Sequence, residues 1–183
     1  MGMKGQYFIV ASIIFSSIFF STMLLVVTPE FIPESEHREL VYFMENLLQE
    51  YPYAFDDGIN NSKELGYLKN FTLFARQIGA EHNIELHALW FFTKYNNSLN
   101  ITIGNFLNES EDVQINISGN VKEVHIEKDS VNSTSLVVPE VFNLTIIFYN
   151  TQETLLLDRY KFNFYSYIEL RKKRVIMEGD VLA

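Results

Sequence analysis

A dense group of carboxylate and imidazole side chains in this 183-residue chain lies between positions 81 and 87. Glu85 and His87 are two residues apart, so on a β-strand their side chains project from the same face. An imidazole beside a carboxylate is a typical start of a divalent metal site. No third ligand has the required spacing, and His125 joins the pair only if the fold brings it close. Glu85 and His87 are therefore weak metal candidates, and a solvated helix-to-strand junction is the alternative.

Two other charged runs have a chemical and a structural interpretation. Residues 56–60 (DDGIN) place oxygen ligands beside a glycine, but they lack the acid spacing and the bidentate glutamate of a calcium loop. We interpret them as an acidic turn. Residues 171–174 (RKKR) form the basic cluster of the chain. Such a cluster binds anionic lipid or an acidic partner, or it protects the end of a strand against unwanted pairing.

Composition excludes several function classes. The chain has no cysteine, which removes disulfide scaffolds, thiolate zinc sites and thiol nucleophiles. No nucleophile elbow or phosphate-binding glycine loop occurs. The formal net charge of −9 argues against nucleic acid as a partner. The sequence therefore predicts a protein that is not an enzyme and that carries no cofactor.

Residues 7–27 (YFIVASIIFSSIFFSTMLLVV) contain no charged side chain. A helix of this length measures about 32 Å, which matches the hydrocarbon core of a bilayer. A cleaved secretory signal is the alternative, but its apolar region is usually shorter and ends at a small-residue cleavage site that residues 26–29 (VVTP) lack. A buried core helix is the third interpretation. We predict a retained transmembrane helix after a cytoplasmic stub of residues 1–6, with lipid as its partner.

Flanking charges and glycosylation sequons predict the topology. Lys4 precedes the apolar segment and Glu30 follows it, so the amino terminus is expected in the cytoplasm and the C-terminal domain outside the plasma membrane. Eight Asn-x-Ser/Thr sequons follow the segment, against about two expected from composition. Their frequency indicates a glycosylated outer surface. The sequon asparagines are Asn60, Asn70, Asn96, Asn100, Asn108, Asn116, Asn132 and Asn143.

The first residues, Met-Gly-Met-Lys-Gly-Gln, run directly into the apolar segment. This start resembles the class III signal peptide of archaeal type IV pilin-like proteins. In that family a membrane peptidase cuts between the glycine and the glutamine, and the apolar helix becomes the new N-terminus for filament assembly. The resemblance implies a cut between Gly5 and Gln6, and it covers about the first 27 residues. Many pilins carry a glutamate five residues into the mature chain, where this chain has Val10.

Periodicity predicts the elements of the outer domain. Residues 28–33 (TPEFIP) hold two prolines and form a linker. Residues 34–82 have apolar side chains at three- and four-residue spacing, which predicts two amphipathic helices. The first is expected to end near Tyr51. The second is expected to start at Asn61 as N-cap with Glu64 in a capping box, and to stop at Gly79. Its predicted apolar stripe is Leu65, Leu68, Phe71, Phe74, Ala75 and Ile78.

From residue 83 to 183 the apolar period changes to two, which predicts strands. We expect strands near 84–94, 98–107, 112–118, 121–128, 135–138, 141–149, 153–158 and 160–177. Sequon asparagines Asn100, Asn116 and Asn143 fall on the polar parity. The short connections exclude βαβ crossovers and favour an antiparallel, immunoglobulin-like β-sandwich. The predicted fold class is thus α+β.

These observations predict a single-pass, N-glycosylated surface protein with a structural or pilin-like role. Self-association and contact with other surface proteins are the expected protein interactions. An uncleaved, membrane-anchored domain that binds a ligand or partner is the alternative. A metal-dependent enzyme that uses Glu85 and His87 is a distant third.

Overall fold

The computed structural model describes residues 34–149, 151–173 and 175–183. The predicted stub, transmembrane helix, linker and cleavage position lie outside these residues. Within them, neither helix is long and apolar enough to cross a bilayer. The described part of the chain forms two helices and nine strands, in the order α1 (Glu34–Asn60), α2 (Glu64–Glu81), β1 (Glu85–Asn96), β2 (Ser98–Phe106), β3 (Glu111–Ile117), β4 (Asn120–Ile126), β5 (Ser130–Leu136), β6 (Val141–Phe148), β7 (Thr151–Asp158), β8 (Asn163–Lys172) and β9 (Val175–Leu182).

The strands form two antiparallel sheets, which confirms the predicted α+β sandwich. One sheet has the order β5-β2-β1-β8-β9 and the other the order β4-β3-β6-β7. The predicted inward parity is also correct, because Leu99, Ile101 and Ile103 of β2 are buried between the sheets. The equivalent residues of β3 and β6 are buried in the same cluster. Alternation of side chains along each strand therefore fixed which face became core.

The five-stranded sheet is buried on both faces. On β1, Leu89 and Phe91 pack between the sheets, whereas Ala88, Trp90 and Phe92 pack against the helices. Strand β8 divides its side chains between the same two clusters. The result is three layers, with helices, the five-stranded sheet and the four-stranded sheet in succession. A strand covered on both faces needs an unbroken apolar run, which explains residues 88–92 (ALWFF).

Helix α1 does not end near Tyr51 as predicted, and the predicted acidic turn at residues 56–60 is wrong. The helix continues through Pro52 to Asn60. An internal proline costs a helix about 3 kcal/mol or more. Here the flanking aromatic residues Tyr51 and Phe55 are both buried, and both rings stack on Phe164 of β8. Their burial offsets the missing hydrogen bond. Asp56, Asp57 and the three residues after them therefore lie in the last turns of a helix, not in a calcium-loop geometry.

The predicted ends of helix α2 are also wrong. The N-cap residue is Lys63, which makes no side-chain capping bond, and Asn61 instead donates to the Asp57 carbonyl at 2.8 Å. At the other end, the amide of Ile84 donates to the Gly79 carbonyl at 2.8 Å. Asn83 takes the left-handed conformation there, with φ of 57°. The helix therefore ends in a Schellman motif in which asparagine, rather than Gly79, supplies the left-handed residue.

Two of the six residues in the predicted stripe of α2 face solvent. Leu65 and Phe74 are exposed, whereas the buried face consists of Glu64, Leu68, Thr72, Ala75 and Gly79. The stripe was misassigned because two buried positions carry polar side chains. Partners elsewhere in the fold compensate for their burial.

The predicted terminal strand at 160–177 is two strands. Strands β8 and β9 form a hairpin whose turn contains Lys173 in the left-handed conformation, with φ of 54°. Strand β5 begins at Ser130, earlier than the predicted 135, and pairs with β2. Both errors concern edge strands of the five-stranded sheet. One-sided pairing and partial exposure gave these strands a weak periodic signal.

Candidate functional site

A pocket of about 170 Å³ opens at the end of the sandwich where β1 begins and β2 and β8 end. His87 on β1 and Glu169 on β8 are paired across the sheet, which places them side by side in its wall. Residues that follow β2 and β6 complete the wall. The lining residues are His87, Leu107, Asn108, Glu109, Tyr149, Tyr167, Glu169 and Arg171.

His87 is the most unusual group in this pocket. Its side chain is 9% exposed, and neither ring nitrogen has a hydrogen-bond partner among the described residues. Burial lowers the pKa of the imidazole below its ordinary value, so the ring is neutral at neutral pH. A neutral imidazole offers one donor and one acceptor. Because buried polar atoms are rarely left unpaired, each one needs an explanation.

Beside His87, the pocket is lined by a charge pair and two phenols. The Arg171 guanidinium donates to Glu169 at 2.5 Å, and Glu169 is buried. Tyr167 is largely buried, whereas Tyr149 is about half exposed at the rim. The two charges compensate each other inside the pocket. Such a surface suits a polar, uncharged group better than an isolated ion.

A second, more open pocket shares His87 and Asn108 with the first. Arg76 of helix α2 forms part of its wall and connects several elements. Its guanidinium donates to the carbonyls of Leu86 and Phe106 and pairs with Asp129 in the turn after β4. These contacts join the helical layer to β1, β2 and the β4–β5 turn. His87 therefore lies between two openings, and Arg76 connects the elements that form the wall of the second.

The fold does not assemble a metal centre around the candidate pair. His87 Nε2 and Glu85 Oε2 are 3.8 Å apart, and Glu85 is exposed. Among the described residues, no group of three or more histidine, aspartate or glutamate side chains is arranged to hold a metal ion. His125 pairs instead with Asp112 and Glu127, and the hydrogen bond to Asp112 raises its pKa. His125 therefore does not supply the third ligand.

Two described members of the basic cluster form ion pairs within the fold. Lys172 is buried and binds Glu39 of helix α1, whereas Arg171 binds Glu169 on the other face of the sheet. Lys173 forms the β8–β9 turn. Successive residues point to opposite faces, as expected for a strand. This arrangement favours the structural interpretation of the cluster.

The sequon asparagines lie at the surface of the described fold. Asn100 and Asn116 are half-buried, and the other six are exposed. The serine or threonine two positions after each asparagine varies much more in exposure than the asparagine does. Thr72 and Thr134 are buried, whereas Ser62 and Ser118 are exposed in turns and Ser110 is exposed in the connection between β2 and β3. The sequons of Asn60, Asn108 and Asn116 are therefore accessible at both of their essential residues.

Several pocket residues could not be identified from the sequence. His87 stood out because it lies beside acidic neighbours, but Asn108, Tyr149 and Glu169 come from three different connections or strands. Their proximity depends on the order of strands in the sheets. Asn108 carried one signal, its sequon, which gave no indication of a pocket. No local pattern marked Tyr149 or Glu169.

Comparison with known proteins supplies no functional template for these residues. No protein-family model matches the chain, and no curated protein or solved structure matches it significantly. Function must therefore be inferred from the chemistry of the chain itself.

Proposed function

We propose that this chain is a single-pass, N-glycosylated surface protein that is held in the plasma membrane with its C-terminal domain outside. Its role is structural or pilin-like, and it has no catalytic activity. The observation that carries the proposal is the position of the sequon asparagines, which are all exposed or half-buried on the described fold. A charge-free segment long enough to span a bilayer precedes them.

The proposed organisation follows from these parts. Residues 1–6 form a cytoplasmic stub, residues 7–27 the transmembrane helix and residues 28–33 a linker. Helices occupy residues 34–82, and the β-sandwich occupies residues 83–183. The immunoglobulin-like architecture stays a prediction, supported by the face-to-face packing of two antiparallel sheets.

Aromatic side chains on the helices support the proposed partners. Tyr42, Tyr53 and Phe74 are each more than half exposed. Tyr53 and Phe74 also line a groove between the two helices. Exposed aromatic patches are typical of surfaces that bind other proteins or the interfacial region of a membrane. Self-association, as a pilin-like subunit requires, is the interaction we propose.

Intact-mass measurement of the membrane-extracted protein tests the proposal. A cut between Gly5 and Gln6 leaves a chain that lacks residues 1–5, and sugars add mass to the ectodomain. Gly5→Leu is the matched variant, because a bulky residue replaces the small one before the cut. We expect the wild-type chain to be shortened and the variant to remain intact.

Two outcomes separate the parts of the proposal. An intact wild-type start contradicts pilin-like processing but leaves the surface anchor in place. An ectodomain that carries no sugar and stays protease-protected in sealed cells contradicts the outside location itself.

A second candidate is an uncleaved ectodomain that binds a ligand, and the unpartnered His87 in its pocket favours it. Recovery of a small molecule with the native wild-type chain, and its loss in His87→Ala, supports this function. Metal analysis of the same preparations tests the third hypothesis, a metal-dependent enzyme. Absence of bound metal from both the wild-type protein and His87→Ala contradicts a Glu85–His87 metal site.

A further inference from the structure

We propose that the first sugar attached to Asn108 folds back into the His87 pocket and forms part of the domain. This inference rests on the proposed function, because it needs an ectodomain that meets the glycosylation machinery. Asn108 is exposed and lines both pockets that border His87. A sugar on its side-chain nitrogen therefore starts at the mouth of the site.

Accessibility sets this sequon apart from others in the chain. Asn108 and Ser110 lie in the connection after β2, and both are exposed. By contrast, Thr72 of the Asn70 sequon is completely buried and hydrogen-bonded in the helix–sheet core. An exposed, non-helical sequon is available to a transferase even after the domain has folded.

The attachment exchanges one bond for another. An N–H bond of the Asn108 side-chain amide is replaced by a bond from that nitrogen to the anomeric carbon of a lipid-phosphate-activated sugar. The carrier leaves as its phosphate, and the amide proton passes to solvent. No electrons are transferred, so the reaction needs no oxidant or reductant.

The pocket matches the chemistry of a sugar. Each hydroxyl both donates and accepts, which complements the donor and acceptor of a neutral imidazole. No described group holds the ring nitrogens of His87, so a half-turn of the ring breaks no hydrogen bond. That half-turn exchanges each nitrogen with a carbon and leaves the outline of the ring unchanged. The imidazole can therefore direct a nitrogen towards a sugar hydroxyl.

Size and charge favour the same occupant. A pocket of about 170 Å³ corresponds to roughly six waters, which is the scale of one sugar ring. The paired Arg171 and Glu169 present opposite charges that a neutral polyhydroxyl group satisfies together. Tyr149 adds a half-exposed aromatic ring at the rim, on which the apolar face of a sugar packs.

The test compares two sequon variants of the full-length chain in detergent. Asn108→Gln removes the proposed pocket sugar, and Asn143→Gln removes a sugar from an exposed position on β6. Each is measured in sugar-bearing protein and in protein from a host without the glycosylation machinery. We expect Asn108→Gln to lower Tm by about 2–4 °C only in the sugar-bearing form, as loss of about one hydrogen bond does in a chain of this size. Asn143→Gln should leave Tm unchanged in both forms.

The NMR signal of the His87 imidazole is a second readout. A general effect of sugar on solubility does not shift this signal. We expect the His87 signal to shift when Asn108→Gln removes the sugar and to stay in place in Asn143→Gln. His125, which is exposed and already paired with Asp112, is the internal reference.

Peptide mass mapping distinguishes the ways in which the inference fails. Sugar on none of the sequons overturns the proposed function together with this inference. Sugar at other sites but not on Asn108 overturns this inference alone. Equal Tm effects and an unmoved His87 signal in the two sugar-bearing variants also overturn it.

Discussion

Trp90 and His87 are buried polar residues three positions apart on the same strand, yet their surroundings are opposite. Trp90 faces the helices, where its indole nitrogen donates to Thr72 at 3.1 Å. The same Thr72 oxygen accepts from the Tyr51 hydroxyl at 3.1 Å and donates to the Leu68 carbonyl at 2.8 Å. His87 faces the end of the sandwich, and both of its ring nitrogens lack partners among the described residues.

The difference separates a structural polar group from a candidate binding group. The side chains of Thr72, Tyr51 and Trp90 form one hydrogen-bonded group, which we call the Thr72 group. Each of their polar atoms has a partner within the fold, so this group fixes the position of helix α2 on the sheet. Around His87, the unpaired atoms reduce stability unless another molecule or a sugar pairs with them. Five predictions for the sugar-free, full-length chain test this contrast. Trp90 is the single tryptophan of the sequence and reports unfolding by fluorescence.

The largest effect is expected for Thr72→Val, which removes the shared acceptor and leaves two buried donors unpaired. Each unpaired buried group costs about 1–3 kcal/mol, so the free energy of unfolding should fall by about 2–6 kcal/mol. Denaturant unfolding measures this change. The matched control is Thr102→Val, since Thr102 is half-buried and bonds Ser133 at the surface. A loss for Thr72→Val no larger than that of the control would contradict the structural role of the group.

Gly104→Ala should have the next largest effect, because Gly104 lies beneath the Trp90 indole. An added Cβ would come 2.4 Å from Trp90 Cζ2, so the indole must move. Overpacking of this kind costs about 1–3 kcal/mol. Gly66→Ala is the control, since nothing lies within 4 Å of an added Cβ in helix α2. It should stabilise the chain by about 0.5–1 kcal/mol through helix propensity. Equal effects of the two changes in thermal unfolding would show that the indole does not restrict position 104.

His87→Leu should change the free energy of unfolding by less than about 1 kcal/mol, or raise it, because no hydrogen bond is lost. This result would contrast directly with Thr72→Val. The same denaturant titration measures both changes. A loss above about 2 kcal/mol would reveal that the fold pairs His87 internally, and the distinction between the two positions would fail.

The smallest effect concerns pH. Burial lowers the pKa of His87 in the folded chain below its unfolded value of 6.5, so the unfolded chain binds more protons between those two values. Stability should therefore rise with pH across that window and fall as the solution is acidified through it. His87→Leu should flatten this part of the profile, measured as Tm against pH.

His125 should show the opposite sign. Its hydrogen bond to Asp112 raises its pKa above 6.5, so its contribution is complete below that value and is lost as pH rises through the folded pKa. His125→Gln should remove this pH-dependent loss, because it lowers Tm on the acid side of the window and leaves Tm above the window unchanged. Profiles in which the two variants change the slope of Tm over the same pH range would contradict the opposite pKa shifts of His87 and His125.

Elements that bury one regular face were predictable from the sequence, and elements stabilised by distant partners were not. Leu99, Ile101 and Ile103 alternate with polar residues, and the fold buries them as expected. Helix α1 crosses Pro52 only because aromatic residues on either side of it pack against β8. The buried face of α2 includes Thr72, whose partners lie on α1 and β1. Polar positions of this kind interrupt an apolar stripe and hide the true face of a helix.

The candidate site was likewise predictable only in part from the sequence. His87 was visible as an imidazole in a cluster of acids, but the sequence placed it at a solvated junction. The structure buries it because β1 is the central strand of a sheet that is covered on both faces. Its neighbours Glu169 and Asn108 are brought together by strand pairing over long sequence separations.

The sequence by itself determined the charge-free segment, the sequons, the absence of cysteine and the change of period from helix to strand. These are local properties, which composition and side-chain alternation specify directly. Tertiary structure alone decided where α1 ends, which face of α2 is buried and which polar side chains gain partners. The reason is physical, since the free energy of a buried polar atom depends on the group opposite it, and that group comes from elsewhere in the chain.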